Sequence, residues 1–155
     1  KALARLWYMA FFQSRVIPER LLRAQDGRLI RRLWSDWAPT WSCPEAVMQE
    51  ILSTFQRPGV AKAALAYYRQ LPDTLSPIGK RSWSLLKGQV HAPTLAISGA
   101  LDGCIDPDVY EVAIAPERFT GPLSLQRLEG VGHFMHQEHA ELVNQVLIEW
   151  LERHP

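Results

Sequence analysis

The chain has 155 residues, which is enough for a domain with a hydrophobic core of its own. Apolar residues make up 47% of it and charged residues 21%, a composition typical of globular proteins that excludes an intrinsically disordered chain. A net charge of +1 gives no reason to expect nucleic acid as a partner. The longest apolar run, residues 6–12, is far shorter than the ~20 residues that cross a bilayer, so no membrane partner is expected either.

The two cysteines, Cys43 and Cys104, are too few for a disulfide framework and lack the spacing of a metal site. They favour a reducing compartment, and we expect a cytoplasmic protein. The chain begins at Lys1 already inside an amphipathic pattern, with no capping residue before it. That start favours a chain cut from a longer polypeptide.

The first half of the chain is predicted to be helical throughout, because its apolar residues recur at the spacing of one helix face. Prolines, glycines and Asp26 separate the predicted helices, and Ser42 is a candidate cap for the helix that follows it. Pro72 and Pro77 are predicted to end the last of them. The predicted helices cover Lys1–Arg15, a segment beginning near Pro18, a stripe from Leu29 to Trp37, a stripe from Val47 to Phe55, and one from Val60 to Leu71.

The second half changes character. Two short β-prone runs alternate with two helical patterns, which predicts a right-handed βαβα unit on a parallel sheet. The predicted strands are Pro93–Gly99 and Leu123–Leu128, and the predicted helices are Pro107–Ile114 and Ala140–Glu152. Two parallel strands do not make a stable sheet alone. We therefore expect either association with a partner or a place as the C-terminal part of a larger fold.

A candidate catalytic pair lies on the loops after the two strands. His133 lies between a strand and a helix, where an imidazole can be aimed into a cleft as a general base. Asp102 follows the earlier strand and could orient that imidazole. A surface histidine is the simple alternative for His133. Asp106 and Asp108 compete with Asp102, but their position beside Pro107 is explained by a helix cap.

Three of the histidines could alternatively form a metal site. His133, His136 and His139 are three residues apart, a spacing that could place imidazoles on one helix face. His133 precedes the helix, however, and the His-Glu-x-x-His order is absent. No metal is therefore expected, and no glycine-rich nucleotide loop follows either strand, so no cofactor is expected.

Two pairs of segments carry a resemblance to a known family. Pro93–Asp102 with Val131–Phe134 resembles the closing half of an α/β-hydrolase. Trp7–Gln13 with Ala66–Arg69 resembles the helical cap of the epoxide hydrolase and haloalkane dehalogenase branch. The resemblance implies an α/β fold, a partial α/β-hydrolase in which residues 1–88 form the helical cap and residues 89–155 the C-terminal core segment.

The resemblance also implies roles for individual residues. Asp102 is the acid that orients His133, and His133 activates water against a covalent ester intermediate. Tyr68 matches the position from which epoxide hydrolases donate a phenolic proton, and Phe11 stands where they usually have a second tyrosine. Tyr68, Phe11 and Trp7 are the expected contacts for a small, apolar substrate, which could be an epoxide, a haloalkane or an ester.

The nucleophile of that chemistry is missing from the sequence. The nucleophile of such enzymes lies in a Gly-x-Ser-x-Gly turn after a strand, or in the same turn with Asp or Cys in place of Ser. No serine, aspartate or cysteine of this sequence lies in such a turn, and neither does Cys104, which is in the same loop as Asp102. The resemblance places the elbow upstream of Lys1, so we expect the chain alone to be inactive. An alternative is a non-catalytic dimerisation module whose strand edges pair with another copy or with a separate N-terminal half. A helical binding domain unrelated to hydrolases is a third reading.

Overall fold

A computed structural model describes residues 7–71 and 73–154. The chain divides into two compact units, one made of residues 1–35 and Ser42–Leu86 and the other of Asp36–Trp41 and Lys87–Pro155. The predicted division at residue 88 did not anticipate that residues 36–41 belong to the second unit. They do so because the backbone of Trp37 hydrogen-bonds two loops of that unit. Within the described ranges, no helix is both long and apolar enough to span a membrane.

The first unit is helical, as predicted. Its core is formed by apolar side chains of the successive helices, among them Ile30, Leu52 and Leu65, which are at most 5% exposed. The described helices, numbered in chain order, are α1 (Trp7–Phe11), α2 (Ile17–Leu22), α3 (Arg28–Trp37), α4 (Glu45–Gln56), α5 (Val60–Gln70) and α6 (Pro77–Leu86).

Three details of this unit differ from the predictions. Residues 1–6 of the predicted first helix lie outside the described residues, and the helix ends at Phe11 instead of Arg15. The helix after Ser42 is preceded by Pro44, without a side-chain cap. Helix α6 was not predicted, because Pro77 was interpreted as a break. Pro77 instead occupies the first helical position, where no N–H is needed, and the hydroxyl of Ser76 accepts a hydrogen bond from the N–H of Gly79.

The second unit contains the predicted βαβα arrangement. Strands β1 (Thr94–Gly99) and β2 (Leu123–Leu128) pair in parallel, with Thr94 opposite Leu123 and Gly99 opposite Leu128. Both strands and both predicted helices are confirmed to within a residue or two at their ends. The helices of the unit are α7 (Pro107–Ala113), a 3-10 turn (Pro116–Arg118), α8 (Met135–Glu138) and α9 (Ala140–Arg153).

A small apolar core holds α9 against the sheet. Leu128 at the end of β2, Val131 in the following loop and Val143 on α9 are buried together, with Ile97 and Met135 packed against them. Because the strands are parallel, both end at the same edge of the sheet. The loops that carry Asp102 and His133 both begin at that edge, and this arrangement determines the geometry of the candidate site.

Candidate active site

The loops after β1 and β2 are joined by backbone hydrogen bonds. The N–H of Ala100 donates to the carbonyl of Leu128 at 2.9 Å, and the N–H of Leu101 donates to that of Val131 at 2.9 Å. Gly99 permits this approach, because a Cβ there would overlap the carbonyl oxygens of Val131 and Gly132. The two loops are therefore held at a fixed separation before any side chain contributes.

Asp102 and His133 meet across this junction. The Nδ1 atom of His133 is 2.9 Å from Oδ2 of Asp102, and the other carboxylate oxygen accepts hydrogen bonds from the backbone N–H groups of Cys104 (2.7 Å) and Ile105 (2.9 Å). The Asp102 side chain is 8% exposed and that of His133 is 28% exposed. The carboxylate is thus buried and its orientation is fixed, while the imidazole remains accessible to solvent.

This hydrogen bond determines the tautomer of the ring. An ionised carboxylate can only accept a hydrogen bond, so Nδ1 of His133 carries the proton and donates it to Asp102. The lone pair then lies on Nε2. An imidazole in this state can accept a proton at Nε2, and the adjacent carboxylate stabilises the imidazolium that results.

Glu138 clamps the loop on both sides of His133, a feature that was not predicted from the sequence. Its Oε2 accepts a hydrogen bond from the N–H of Gly132 at 2.7 Å, and its Oε1 accepts one from the N–H of Phe134 at 2.8 Å. The available signal was a glutamate four residues after Phe134, at the last position of the short helix α8, from where its side chain can reach back to the preceding loop, much as in a capping box. One carboxylate therefore satisfies two N–H groups whose residues are buried.

Trp37 links the loops that carry Asp102 and His133 from a third segment of the chain. Its carbonyl oxygen accepts hydrogen bonds from the N–H of Gly103 at 3.0 Å and from the N–H of His133 at 3.1 Å. Its indole ring lies 5.2 Å from the His133 ring, at an edge-on angle of 66°. The sequence indicated only an apolar helix position for Trp37. It supplies both a backbone acceptor and an aromatic wall to the site.

The competing acidic residues have other partners. Asp106 caps α7 through a hydrogen bond from the N–H of Asp108, as the proline beside them predicted. Asp108 and Glu111 both form ion pairs with Arg127, at 2.6 and 2.8 Å. These contacts raise the pKa of the Arg127 guanidinium, chiefly through the hydrogen bond that it donates to Glu111.

The three expected substrate contacts all lie in the first unit. Trp7 and Phe11 are neighbours on α1, with ring centroids 5.9 Å apart, and Tyr68 packs against Tyr8 (5.8 Å) and Phe12 (5.0 Å). Trp7, Phe11 and Tyr68 are all partly exposed, whereas Tyr8 and Phe12 are buried. The aromatic cluster therefore has a buried side and a side open to a ligand.

Polar residues connect the two segments, Trp7–Gln13 and Ala66–Arg69, that resemble a hydrolase cap. The amide of Gln13 donates to the carbonyl of Tyr68 at 3.1 Å, and the guanidinium of Arg69 donates to the carbonyl of Phe12 at 2.9 Å. Arg69 also forms a 2.6 Å ion pair with Glu19, and this hydrogen bond lowers the pKa of the Glu19 carboxyl below its ordinary value. These contacts hold α1, α2 and the end of α5 together, so Arg69 has a structural role beside Tyr68.

No family model matches the chain, but proteins of similar sequence and fold are found. Epoxide hydrolase 1 of Caenorhabditis elegans is 26% identical over 96% of this chain and 35% of its own length. The crystal structure of the Cif epoxide hydrolase from Acinetobacter nosocomialis aligns with a TM-score of 0.74 at 20% identity, covering 94% of this chain and 44% of that one. The haloalkane dehalogenase DatA from Agrobacterium tumefaciens aligns with a TM-score of 0.68 at 19% identity, covering 98% and 52%.

The fold is therefore that of a partial α/β-hydrolase, with helices followed by a parallel-sheet segment. The chain resembles epoxide hydrolases and a haloalkane dehalogenase, and the extent of the match is consistent with their C-terminal portion. This fold excludes the third interpretation of the sequence, a helical binding domain unrelated to hydrolases. The chain spans about half the length of these structural relatives and about a third of the curated relative.

Proposed function

We propose that this chain carries the acid and the base of a hydrolase that cleaves a small apolar substrate through a covalent ester. One observation supports this most directly: a buried carboxylate, held by two backbone N–H groups, lies 2.9 Å from Nδ1 of a solvent-accessible imidazole. A structural ion pair would not need its two residues on loops that begin at the carboxyl ends of adjacent parallel strands.

In the proposed reaction the nucleophile comes from a segment outside these 155 residues. It attacks the substrate carbon and forms an ester, while the bond from that carbon to the epoxide oxygen, the halide or the alcohol oxygen breaks. His133 then takes a proton from water at Nε2, and the resulting hydroxide attacks the ester carbonyl. When the tetrahedral intermediate collapses, the product is released, the nucleophile is regenerated and the imidazolium returns its proton. Asp102 stabilises the imidazolium in between.

Tyr68 is the proposed proton donor if the substrate is an epoxide, because opening the ring leaves an alkoxide that must be protonated. A haloalkane releases halide, which needs no proton. Tyr68→Phe should therefore lower epoxide turnover by ~100-fold or more and leave haloalkane turnover unchanged. Tyr67→Phe is the matched control, since Tyr67 is 66% exposed beside it. Equal effects of the two variants would remove Tyr68 from the chemistry.

The direct test uses the longest polypeptide encoded in frame with this chain, assayed with an aryl epoxide, a primary haloalkane and a p-nitrophenyl ester. We expect turnover of one class, reduced ~1,000-fold or more by His133→Ala. The matched control is His136→Ala, which should retain full activity because His136 is exposed and lies on the following helix α8. Full activity of His133→Ala would refute the proposal. Sustained turnover by the 155 residues alone would refute the external nucleophile.

A second proposed role is association through the second unit, with another copy or with a separate N-terminal half. It is favoured by apolar side chains exposed on two of its helices: Val112 on α7 is 85% exposed, and Ile148 and Leu151 on α9 are 55% and 63% exposed. Sedimentation over a range of concentrations tests it. A stable monomer at every concentration would exclude self-association. We also propose a cytoplasmic location, because Cys43 and Cys104 form no disulfide.

A further inference from the structure

We propose that the site binds a thiophilic divalent cation, such as Zn²⁺, through Asp102, Cys104 and His133. One ligating atom from each of these side chains lies within 4.8 Å of the other two. This set combines a carboxylate oxygen, a thiol sulfur and an imidazole nitrogen, the donors most often found at zinc in proteins. The effect of the cation on catalysis rests on the proposed function, but cation binding itself does not.

The distances between the three ligand atoms would suit tetrahedral coordination of an ion after small side-chain rotations. Zinc lies about 2.3 Å from sulfur and about 2.0 Å from nitrogen, so these ligand atoms are about 3.5 Å apart around a bound ion. Each pair of ligand atoms, now at most 4.8 Å apart, must therefore close by no more than about 1.3 Å. Three protein ligands leave the fourth position for water or substrate, which is the arrangement of an open zinc site.

The surroundings favour a specific site over chance proximity. Asp102 and Cys104 are 7% and 4% exposed, so two of the ligands are nearly removed from water. Asp102 accepts the N–H of Cys104 at 2.7 Å, which fixes these two residues relative to each other. His133 remains 28% exposed and provides the route of entry. On binding, the thiol of Cys104 releases its proton to solvent as the metal–sulfur bond forms.

Metal binding and catalysis would exclude each other. Coordination through Nε2 of His133 occupies the lone pair that accepts the proton from water. Coordination through Nδ1 replaces the hydrogen bond to Asp102. Either mode removes the base, so the cation acts as a reversible inhibitor whose effect depends on the thiol of Cys104.

The test begins with Co²⁺ added to the 155-residue chain, because cobalt reports a bound thiolate through its charge-transfer absorption. We expect one equivalent to produce that absorption and Zn²⁺ to abolish it by displacement. Cys104→Ser should lose the absorption, while Cys43→Ser, the matched control at the other cysteine, should keep it. No absorption with the unmodified chain, or loss in Cys43→Ser with retention in Cys104→Ser, would overturn the proposal.

A measurement on the unmodified protein covers the case in which Cys104→Ser does not fold. Added Zn²⁺ should shift the ring ¹⁵N signals of His133 and leave those of His91 and His154 in place. Unchanged His133 signals would overturn the proposal. In the longer polypeptide, Zn²⁺ should inhibit turnover, and Cys104→Ser should raise the inhibitory concentration at least ~10-fold. Binding by the chain without turnover by the longer polypeptide would support the metal site and refute the catalytic function.

Discussion

Replacing Glu138 by glutamine is expected to loosen the loop that carries His133. The carboxylate accepts one N–H with each oxygen, from Gly132 at 2.7 Å and from Phe134 at 2.8 Å. Glutamine keeps one acceptor oxygen but presents an NH₂ group to the other N–H, and rotating the amide only exchanges which N–H loses its partner. The lost charge-assisted hydrogen bond and the unsatisfied donor together cost about 2 kcal/mol.

Hydrogen exchange measures this loss locally. An opening free energy lower by about 2 kcal/mol corresponds to roughly 30-fold faster exchange, so the protection of the Gly132 and Phe134 amides should fall by that factor in Glu138→Gln. Glu129→Gln is the control, because Glu129 is exposed and lies near the start of the same loop. If the two variants exchange at rates within about twofold of each other at both amides, Glu138 does not hold the loop.

Three further perturbations are expected to have distinct results. Arg69→Ala should lower the free energy of unfolding of the first unit by about 2–3 kcal/mol in urea denaturation, because it removes several charge-assisted hydrogen bonds. Lys62→Ala, on the exposed side of the same helix, is the control and should change that free energy by less than about 0.5 kcal/mol. The hydrogen bond from Arg69 lowers the folded-state pKa of Glu19 below 4.5, so the ionised Glu19 stabilises the fold above pH 4.5, and this stabilisation is lost as the pH falls through the folded-state pKa. In Glu19→Gln, the urea midpoint should therefore depend less steeply on pH below 4.5. An unchanged dependence of the midpoint on pH in this range would contradict the assignment. Asp102→Asn should move the ring proton of His133 from Nδ1 to Nε2, observed by ¹⁵N NMR, and an unchanged tautomer would show that the carboxylate does not orient the ring.

The elements of the second unit were predictable because their patterns are local. A short β-prone run ending in glycine and a long helical stripe each identify themselves within about ten residues, and β1 and α9 fall where they were predicted. Helix α6 was missed because Pro77 has two opposite meanings. Proline both ends a helix and suits its first turn, and only the contacts of the preceding residues distinguish the two.

The candidate site likewise contains features that could be predicted from local sequence patterns and features that depend on how distant segments fold together. The meeting of Asp102 and His133 was expected from the resemblance and from parallel strands ending at one edge. The spacing of Glu138 from the preceding loop resembles a capping box, but which two N–H groups it binds depends on how far its side chain reaches. Cys104 was judged to lack metal-site spacing, yet it lies near both residues, because its approach to His133 depends on how the two loops fold.

The central claim is that His133 is the base that hydrolyses a covalent ester. The most direct test is the intact mass of the His133→Ala variant of the longer polypeptide, recorded after incubation with the substrate that the unmodified protein turns over. We expect one stable adduct of substrate mass per polypeptide, because the ester forms but no base activates the water that would cleave it. An unmodified mass together with undiminished product formation would contradict the claim.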